Sequence, residues 1–402
     1  MTDLSTRLST RVRRAAPALL GYAAVRVLGL LVLALWSAAR DKSAYTLLTA
    51  RWDALWYTRV AELGYGYEVR LPNGDVHSNL AFFPLLPWLE RGLHAVTPLS
   101  YADAGFLVAV LASLAAAWGI FAVTDLVYGR RAGICAVLLW AVLPVGIVQS
   151  MAYSESLFTA LAAWALYAVL TGRWPTAGAL ALLAGLTRPV GLAVVAAVWA
   201  AGIASFVRDR SAAPGDSARS PGRAPSPTGG PAPRGASAAR RALGMLLAPL
   251  GAAGYVLWVG HRTGQGPLGY LDVQAGWRNG FDGGYAFARF VAEKFTSFPS
   301  ALAGVGLITG VALVVWLYVV CVRQGQPLPL LVYAGVVTAL ALCASSYFGS
   351  KPRLLLPAFP LLLPLALALA RLRTRRSVLV LGLVAVASAA YGAFWLNGSG
   401  PP

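Results

Sequence analysis

Charged residues are the scarcest feature of this chain. Only 12% of its 402 residues are charged, whereas soluble proteins typically carry about 25%. Hydrophobic residues make up 58% of the chain instead, and apolar runs of roughly 20 residues recur along its whole length, as in membrane-spanning helices. The sequence therefore predicts an all-α polytopic membrane protein, with residues 1–402 forming a single transmembrane domain.

Cysteine and histidine are also few, with three of each. The cysteines lie in or beside apolar runs, far apart in sequence: Cys135, Cys321 and Cys343. This spacing predicts small buried side chains, and neither a disulfide framework nor a metal site. The histidines are single and widely spaced: His77, His94 and His261. We therefore expect no metal and no cofactor.

Acidic residues number 15 against 33 Lys and Arg, which gives a net charge of +18. A basic excess of this size can indicate nucleic-acid binding. Here the basic residues cluster in short gaps between apolar runs, which is typical of the cytoplasmic loops of membrane proteins. We therefore expect a lipid bilayer as the partner, and no nucleic acid.

The basic clusters also predict the orientation in the membrane. The arginine-rich N-terminus is expected to be cytoplasmic, and the first span, 17–38, to be a retained signal anchor rather than a cleaved signal peptide. Arg188 is expected to break an apolar run into a short rising helix and a descending one. The total is about eleven transmembrane helices, in the plasma membrane. The remaining spans are predicted at 103–124, 132–149, 154–170, 176–187, 190–207, 242–260, 300–321, 328–346, 354–370 and 377–396.

Three segments between spans are predicted to be loops. Residues 39–102 have mixed charges and many aromatic residues, and should form an extracytoplasmic loop with interfacial helices near 48–64 and 84–97. Residues 208–241 are rich in Pro, Ser, Ala, Gly and Arg, which predicts a disordered cytoplasmic loop. Residues 261–297 are predicted to be a second extracytoplasmic loop.

Ionisable and aromatic side chains gather at the predicted extracytoplasmic ends of the spans. Charged groups near membrane depth are energetically costly, and they are therefore candidates for function. A carboxylate can act as a general base on an acceptor hydroxyl. Cationic side chains can stabilise a phosphate leaving group, and aromatic rings can stack on sugars. This combination suits the transfer of a sugar from a lipid phosphate to an acceptor hydroxyl.

Asp53 is the predicted catalytic residue, either taking the proton or orienting the acceptor. Glu68, in the same loop, is the rival carboxylate. Arg353 is the preferred ligand for the donor phosphate. The predicted substrate-binding residues are Trp52, Glu68, His77, Tyr153, Glu155, Arg188, Lys351 and Arg353.

Structural roles are the alternatives for the same residues. Asp53 could cap the helix that follows it, and the aromatic residues could form an interfacial belt. Glu155 could cap a helix or pair with Arg188, while Lys351 and Arg353 could extend to lipid head groups. For the whole protein, the alternatives are a flippase for lipid-linked sugars, another transporter, or an inert membrane scaffold. A transporter would favour internal repeats and midplane charges, neither of which the sequence displays.

Three motifs in the first half of the chain resemble the PIG-V family, the second mannosyltransferase of GPI-anchor synthesis, and they occur in family order. The second half resembles the family only in its pattern of spans. The matching residues are Trp52-Asp53-Ala54-Leu55-Trp56-Tyr57 with Gly64-Tyr65 and Ala81-Phe82-Phe83-Pro84-Leu85-Leu86-Pro87, then Pro144 with Tyr153-Ser154-Glu155-Ser156-Leu157-Phe158, then Leu186-Thr187-Arg188-Pro189-Val190-Gly191.

The resemblance implies a GT-C glycosyltransferase with its active site on the extracytoplasmic face. Such an enzyme would take mannose from a polyprenyl-phosphate-mannose donor, invert the anomeric centre, and deliver the sugar to a glycan, glycolipid or protein acceptor. Asp53 occupies the position of the family's catalytic acidic residue. Two features depart from the family: an extra polar stretch from Arg70 to Asn79, and the Pro/Ala/Arg-rich segment 208–241. The second is typical of a high-GC bacterium, and the resemblance is therefore to a bacterial PIG-V-like mannosyltransferase. Since most bacteria do not make GPI anchors, a GPI acceptor is not expected.

Overall fold

The computed structural model describes residues 2–211, 234–345 and 347–398. This described part is almost entirely helical and contains two short antiparallel β-ribbons. The α-helices are α1 (Thr2–Ala38), α2 (Ala44–Thr49), α3 (Asp53–Leu63), α4 (Leu85–Val96), α5 (Tyr101–Tyr128), α6 (Arg130–Ala141), α7 (Ser154–Leu170), α8 (Trp174–Gly185), α9 (Leu192–Ser211), α10 (Arg234–Leu247), α11 (Leu250–Thr263), α12 (Gly269–Gly276), α13 (Tyr285–Glu293), α14 (Ser300–Arg323), α15 (Leu328–Cys343), α16 (Lys351–Leu354), α17 (Leu363–Arg371) and α18 (Thr374–Leu396). The strands are β1 (Glu68–Arg70), β2 (Val76–Ser78), β3 (Gly280–Phe281) and β4 (Ala344–Ser345).

The described residues contain 6 helices long and apolar enough to cross a membrane. A further pair, Phe348–Leu354 with Phe359–Arg371, is bent by 76° and would make a seventh if it forms one span. Three shorter apolar helices, α7, α8 and α15, lie where spans are predicted. These features confirm the polytopic class, while the count of eleven stays a prediction. The six long helices are Val12–Ala38, Tyr101–Tyr128, Pro189–Ser211, Ala238–Thr263, Ser300–Arg323 and Thr374–Leu396.

The predicted third span, 132–149, is not one continuous helix. Helix α6 ends at Ala141, and a 3₁₀ turn covers Gly146–Ser150. Pro144 lies between them, and proline both lacks an N–H and disfavours helical backbone in the residue before it. The guanidinium of Arg26 in α1 donates to the carbonyls of Ala141 and Gly146. A partly buried cation therefore satisfies the backbone carbonyls that the helix break leaves without helical partners.

The segment 39–102 contains the two helices expected near 48–64 and 84–97, as α3 and α4, and a ribbon that was not expected. Strands β1 and β2 pair antiparallel, with Glu68 opposite Ser78. Gly74 turns the ribbon with φ +88, a backbone conformation that glycine adopts without strain. The extra polar stretch Arg70–Asn79 thus forms most of this ribbon, which is a small correction to the all-α prediction.

The predicted loop 208–241 is helical at both ends. Helix α9 continues to Ser211 and α10 begins at Arg234, whereas residues 212–233 lie outside the described residues. Arg241 joins the two helices, because its Nη2 atom lies 2.7 Å from Oδ2 of Asp209 and its guanidinium lies 4.5 Å from the ring centroid of Phe206. The predicted loop 261–297 contains α12, α13 and β3, and β3 pairs with β4.

Small residues allow the helices to approach closely. A Cβ atom built on Gly119 of α5 would lie 2.9 Å from the Cβ of Ala163 in α7, and one on Gly185 of α8 would lie 2.6 Å from the backbone nitrogen of Ala252 in α11. Such contacts are the usual means by which membrane helices pack without a hydrophobic driving force. They hold the middle of α7 against α5 and the C-terminal end of α8 against α11.

Candidate active site

Four segments that are distant in sequence contribute to one cluster of charged side chains. Asp53 is the first residue of α3, and Glu155 lies in the first turn of α7. Arg188 lies in the break between α8 and α9, and Arg353 lies in the four-residue helix α16. Carboxylates in the first turn of a helix interact favourably with the free N–H groups and the helix dipole. We name Asp53, Glu155, Arg188 and Arg353 the ionic cluster.

Charges of opposite sign alternate through the ionic cluster. Nη1 of Arg353 lies 2.9 Å from Oδ2 of Asp53, and Nε of the same guanidinium lies 3.2 Å from Oε1 of Glu155. Nη1 of Arg188 lies 2.5 Å from the same Glu155 oxygen. Two arginines therefore balance two carboxylates, as the burial of charged groups requires.

Exposure decreases from Asp53 towards Glu155. The side chain of Asp53 is 26% exposed and that of Arg353 10%, while Glu155 is 1% exposed and Arg188 13%. Asp53 is therefore the member of the cluster that a bound molecule can reach most easily. It does not serve as the N-cap of α3, since Trp52 holds that position and has no side-chain capping bond.

Two hydroxyl groups that were not predicted as site residues extend the cluster. The hydroxyls of Tyr57 and Ser154 are hydrogen-bonded at 2.7 Å, and Nη1 of Arg188 donates to Oγ of Ser154 at 3.2 Å. Burial raises the pKa of Tyr57 well above its usual value, which keeps its hydroxyl protonated. A signal was present in the sequence, because Tyr57 follows Asp53 by four residues and so shares its helix face.

Two aromatic residues of the motifs support the cluster. The ring of Tyr153 lies 5.1 Å from the guanidinium carbon of Arg353, within the range of a cation–π contact. Trp52 has φ +53, a conformation that is strained for a residue with a bulky side chain. It makes the sharp turn before α3, and the guanidinium of Arg51 covers its ring at 4.3 Å.

His77 lies in an aromatic group beside the ionic cluster. Its ring stacks on Trp277 with centroids 4.0 Å apart, and Trp277 contacts the edge of Trp56 at 4.9 Å. Phe82 stacks on Trp56 and contacts the ring of Tyr57 edge-on. Through the hydroxyl of Ser154, Tyr57 is connected to Arg188 of the ionic cluster. Partial burial lowers the pKa of His77, so its ring is neutral near pH 7. Trp277 comes from the second predicted loop and was not anticipated.

Glu68 and Lys351 lie apart from the ionic cluster. Glu68 is an exposed residue of strand β1. The ammonium of Lys351 donates to the carbonyls at the end of α15, at 2.8 Å to Ala341, 3.3 Å to Leu342 and 2.9 Å to Ala344. All three of its N–H donors are thereby used. The lysine predicted to contact phosphate instead satisfies the orphan carbonyls of a helix end.

Within the described residues, no group of three or more His, Cys, Asp or Glu side chains could hold a metal ion. The ionic cluster joins only two carboxylates, and both already face arginines. The absence of a metal and a cofactor therefore stays a prediction for solution measurement.

Comparisons with known proteins bear on the resemblance of the motifs. No family model matches the chain. The chain is similar to GPI alpha-1,6-mannosyltransferase 2 from Rattus norvegicus, with 33% identity over 156 residues, which are 36% of this chain and 30% of that protein. The same protein from Mus musculus is 32% identical over 157 residues, 36% of this chain and 29% of that one. The chain thus matches less than a third of the length of these relatives.

A solved structure supports the fold. ArnT from Cupriavidus metallidurans bound to undecaprenyl phosphate has a TM-score of 0.50 and 15% identity, and the match covers 91% of this chain and 62% of that one. At this identity the likeness concerns the fold alone. Together these findings agree with the predicted resemblance: the chain has the fold of ArnT and is similar in sequence, over 156 residues, to GPI alpha-1,6-mannosyltransferase 2.

Proposed function

We propose that this protein is a multi-pass glycosyltransferase that moves mannose from a polyprenyl-phosphate-mannose donor to an acceptor hydroxyl, with inversion, on the extracytoplasmic face of the plasma membrane. The observation that carries the proposal is the placement of Arg353 between two carboxylates, of which Asp53 is the more exposed. This arrangement supplies a base that a substrate can reach and, beside it, a cation for a phosphate. A glycan, glycolipid or protein would supply the hydroxyl.

The reaction that we propose is a single displacement. Asp53 takes the proton of the acceptor hydroxyl while the acceptor oxygen forms a bond to the anomeric carbon. The bond from that carbon to the phosphate oxygen breaks, and the lipid phosphate leaves with the electron pair. Arg353, with Arg188 behind it, stabilises the negative charge of the departing phosphate. Attack from the face opposite to the leaving group inverts the anomeric centre.

The other members of the site have positioning roles in this proposal. Glu155 is buried between Arg353 and Arg188, so it would fix both guanidinium groups rather than contact the acceptor. The Tyr57–Ser154 hydroxyl pair would orient Arg188. The aromatic group around Trp277 and His77 would border the sugar-binding space, since aromatic rings provide flat apolar faces for sugar rings.

Replacing Asp53 with asparagine tests the proposal directly. Asp53→Asn keeps the shape of the side chain but cannot accept the proton, and transfer of label from polyprenyl-phosphate mannose should fall by about 10²- to 10⁴-fold. Asp272→Asn is the matched control, because Asp272 is an exposed carboxylate of α12. Near-normal transfer by purified, folded Asp53→Asn would sink the assignment of Asp53.

The same assay separates the enzyme from the alternative of a flippase. Reconstituted vesicles should form a new mannosylated product when donor and acceptor extracts are supplied. Movement of the donor lipid across the vesicle membrane, without label in any new product, would instead favour transport. Profiling lipid-linked and protein-linked glycans in a deletion strain would then identify the acceptor class.

A further inference from the structure

An apolar groove lies on the flank of the molecule between helices α1, α6 and α18. Its volume is about 440 Å³, within the roughly 300–1,000 Å³ typical of ligand sites. Its walls are aliphatic and include Ile134, Leu138, Val378 and Leu381. Val378 is itself an exposed aliphatic side chain, so the groove opens sideways, towards the space that lipid occupies around a membrane helix.

The length of the groove fits one lipid chain. Its lining runs along α6 from Arg131 to Val142, the residue that caps the helix, and eleven residue steps of a helix span roughly 16 Å at 1.5 Å each. This is about half of a hydrocarbon layer roughly 30 Å thick. An acyl chain that begins at the Arg131 end would therefore extend to the middle of the bilayer.

The Arg131 end of the groove is polar and electropositive. Arg131 and Thr374 line it, and the guanidinium of Arg131 donates to the carbonyl of Leu372, which joins the beginnings of α6 and α18. Neither of these two helix N-termini has a side-chain cap, so their first N–H groups point outward without that partner. The neighbouring acid, Asp125, is already paired with Arg14 at 2.6 Å.

The basic run that precedes and begins α18 adds positive charge at the same end. Its arginines are exposed: Arg371, Arg373, Arg375 and Arg376. An apolar channel that ends in arginine, hydroxyl and uncapped N–H groups is complementary to a molecule with a hydrocarbon chain and a phosphate. A phosphate at a helix N-terminus beside arginine gains both hydrogen bonds and charge attraction.

We propose that this groove binds one anionic glycerophospholipid of the surrounding bilayer, with its phosphate at Arg131 and Thr374 and one acyl chain between α6 and α18. The site is separate from the ionic cluster, because none of Asp53, Glu155, Arg188 and Arg353 lines the groove. The bound lipid joins α1, α6 and α18, and so braces α1 and α6, which the partly buried Arg26 also connects.

A glycine in the wall allows the groove to be filled without a clash. A Cβ atom at Gly382 would meet nothing within 4 Å, and the same holds for Gly310 on α14. Gly382→Leu therefore places a side chain in the groove, while Gly310→Leu makes the same change on a helix outside it. Arg131→Gln removes the charge but keeps an N–H donor for Leu372, and Arg323→Gln, at the exposed end of α14, is its control.

The test is native mass spectrometry of the purified full-length protein with phosphatidylglycerol and phosphatidylcholine of identical acyl chains. The unmodified protein should retain one phosphatidylglycerol, about tenfold more strongly than phosphatidylcholine. Gly382→Leu should lose both lipids, and Arg131→Gln should lose most of the preference while its melting temperature without added lipid stays unchanged. Both control variants should behave like the unmodified protein.

Three results would overturn the proposal. The first is equal retention of the two lipids by the unmodified protein. The second is undiminished phosphatidylglycerol binding in Gly382→Leu or an undiminished preference in Arg131→Gln. The third is displacement of phosphatidylglycerol by undecaprenyl phosphate at about tenfold lower concentration, which would make the groove a carrier site. If Gly382→Leu cannot be purified, Arg131→Gln decides alone, because its change is confined to the rim.

Discussion

Asp53 and Arg353 form an ion pair in which the carboxylate is more exposed than the guanidinium. Nη1 of Arg353 and Oδ2 of Asp53 are 2.9 Å apart, and the side chains of Asp53 and Arg353 are 26% and 10% exposed. An incoming phosphate would compete with Asp53 for the same guanidinium. Binding of the donor would then release the carboxylate towards the acceptor. The ion pair between Asp53 and Arg353 would thereby couple binding of the donor to the freedom of the Asp53 carboxylate to accept a proton.

Arg353→Lys should lower the rate of sugar transfer by about 10- to 100-fold, with less effect on stability. One planar guanidinium contacts Asp53 through Nη1 and Glu155 through Nε, whereas an ammonium is a single point charge that cannot reproduce both contacts. The measurement is the initial rate at saturating donor. Arg323→Lys, at the exposed end of α14, is the control, and an unchanged rate for Arg353→Lys would refute the role given to the guanidinium.

Glu155→Gln should destabilise the protein by about 3–5 kcal/mol, since it leaves two largely buried arginines without their shared carboxylate. The comparison is Arg278→Gln, which breaks the pair with Asp75 at the surface, where Arg278 is 68% exposed. Exposed pairs contribute about 0–1 kcal/mol, so this second change should be small. Unfolding in mild detergent measures both. Equal effects would mean that the ionic cluster is better solvated than its burial implies.

Lys351→Met should affect stability rather than the affinity for the donor. The ammonium satisfies three carbonyls at the end of α15, and leaving buried acceptors without partners costs about 1–3 kcal/mol. The KM for the donor should stay within about twofold, because we place the phosphate at Arg353. Lys294→Met is the control, as its ammonium lies over the ring of Phe290 at 4.3 Å. A large rise in KM would restore Lys351 as a phosphate ligand.

Glu90→Gln should make the protein more stable than wild type at alkaline pH and leave stability nearly unchanged at pH 4. The carboxyl group is fully buried against Gly105 of α5, and burial raises its pKa well above the usual value. A raised pKa means that the contribution to stability is present below the unfolded-state pKa and is lost as pH rises through the folded-state value. Glutamine does not titrate.

Melting temperatures of wild type and Glu90→Gln, followed from pH 4 to pH 9, measure this difference. Glu62→Gln is the control, since Glu62 is exposed on the neighbouring helix α3. The two curves should diverge as pH rises, with the variant above wild type. Parallel curves would show that Glu90 is ionised in the folded protein and has a partner.

Much of the candidate site was predictable because its residues have a local signature. Asp53, Glu155 and Arg188 are charged residues beside long apolar runs, and burying such groups is too costly without a partner or a role. Arg353 was chosen on the same ground, and the structure brings all four together. Lys351 has the same signature, yet it binds the end of α15. A sequence shows that a cationic side chain lies beside an apolar run, but not whether its partner is a carboxylate or a backbone carbonyl.

The unanticipated residues share a different property. Ser154, Tyr57 and Trp277 carry no charge, so nothing in the sequence separates them from an interfacial belt or a helix start. Trp277 contacts Trp56 and His77 from 200 or more positions away in the chain, and such contacts depend on how two loops pack. The ribbon β1–β2 was missed because each of its strands has three residues, too few for a periodic pattern.

The sequence by itself determined the membrane class, the position of the apolar segments and the residues that had to be paired. Its apolar runs leave no alternative to helices, since the bilayer demands that each backbone polar group be satisfied within its own segment. Only the tertiary structure decided which charges pair. It shows that Arg26 donates to the carbonyl at the end of α6 and that Arg353 lies between Asp53 and Glu155. Pairing depends on distances of a few ångströms between helices, and these are determined by packing of small residues that have no distinguishing pattern along the chain.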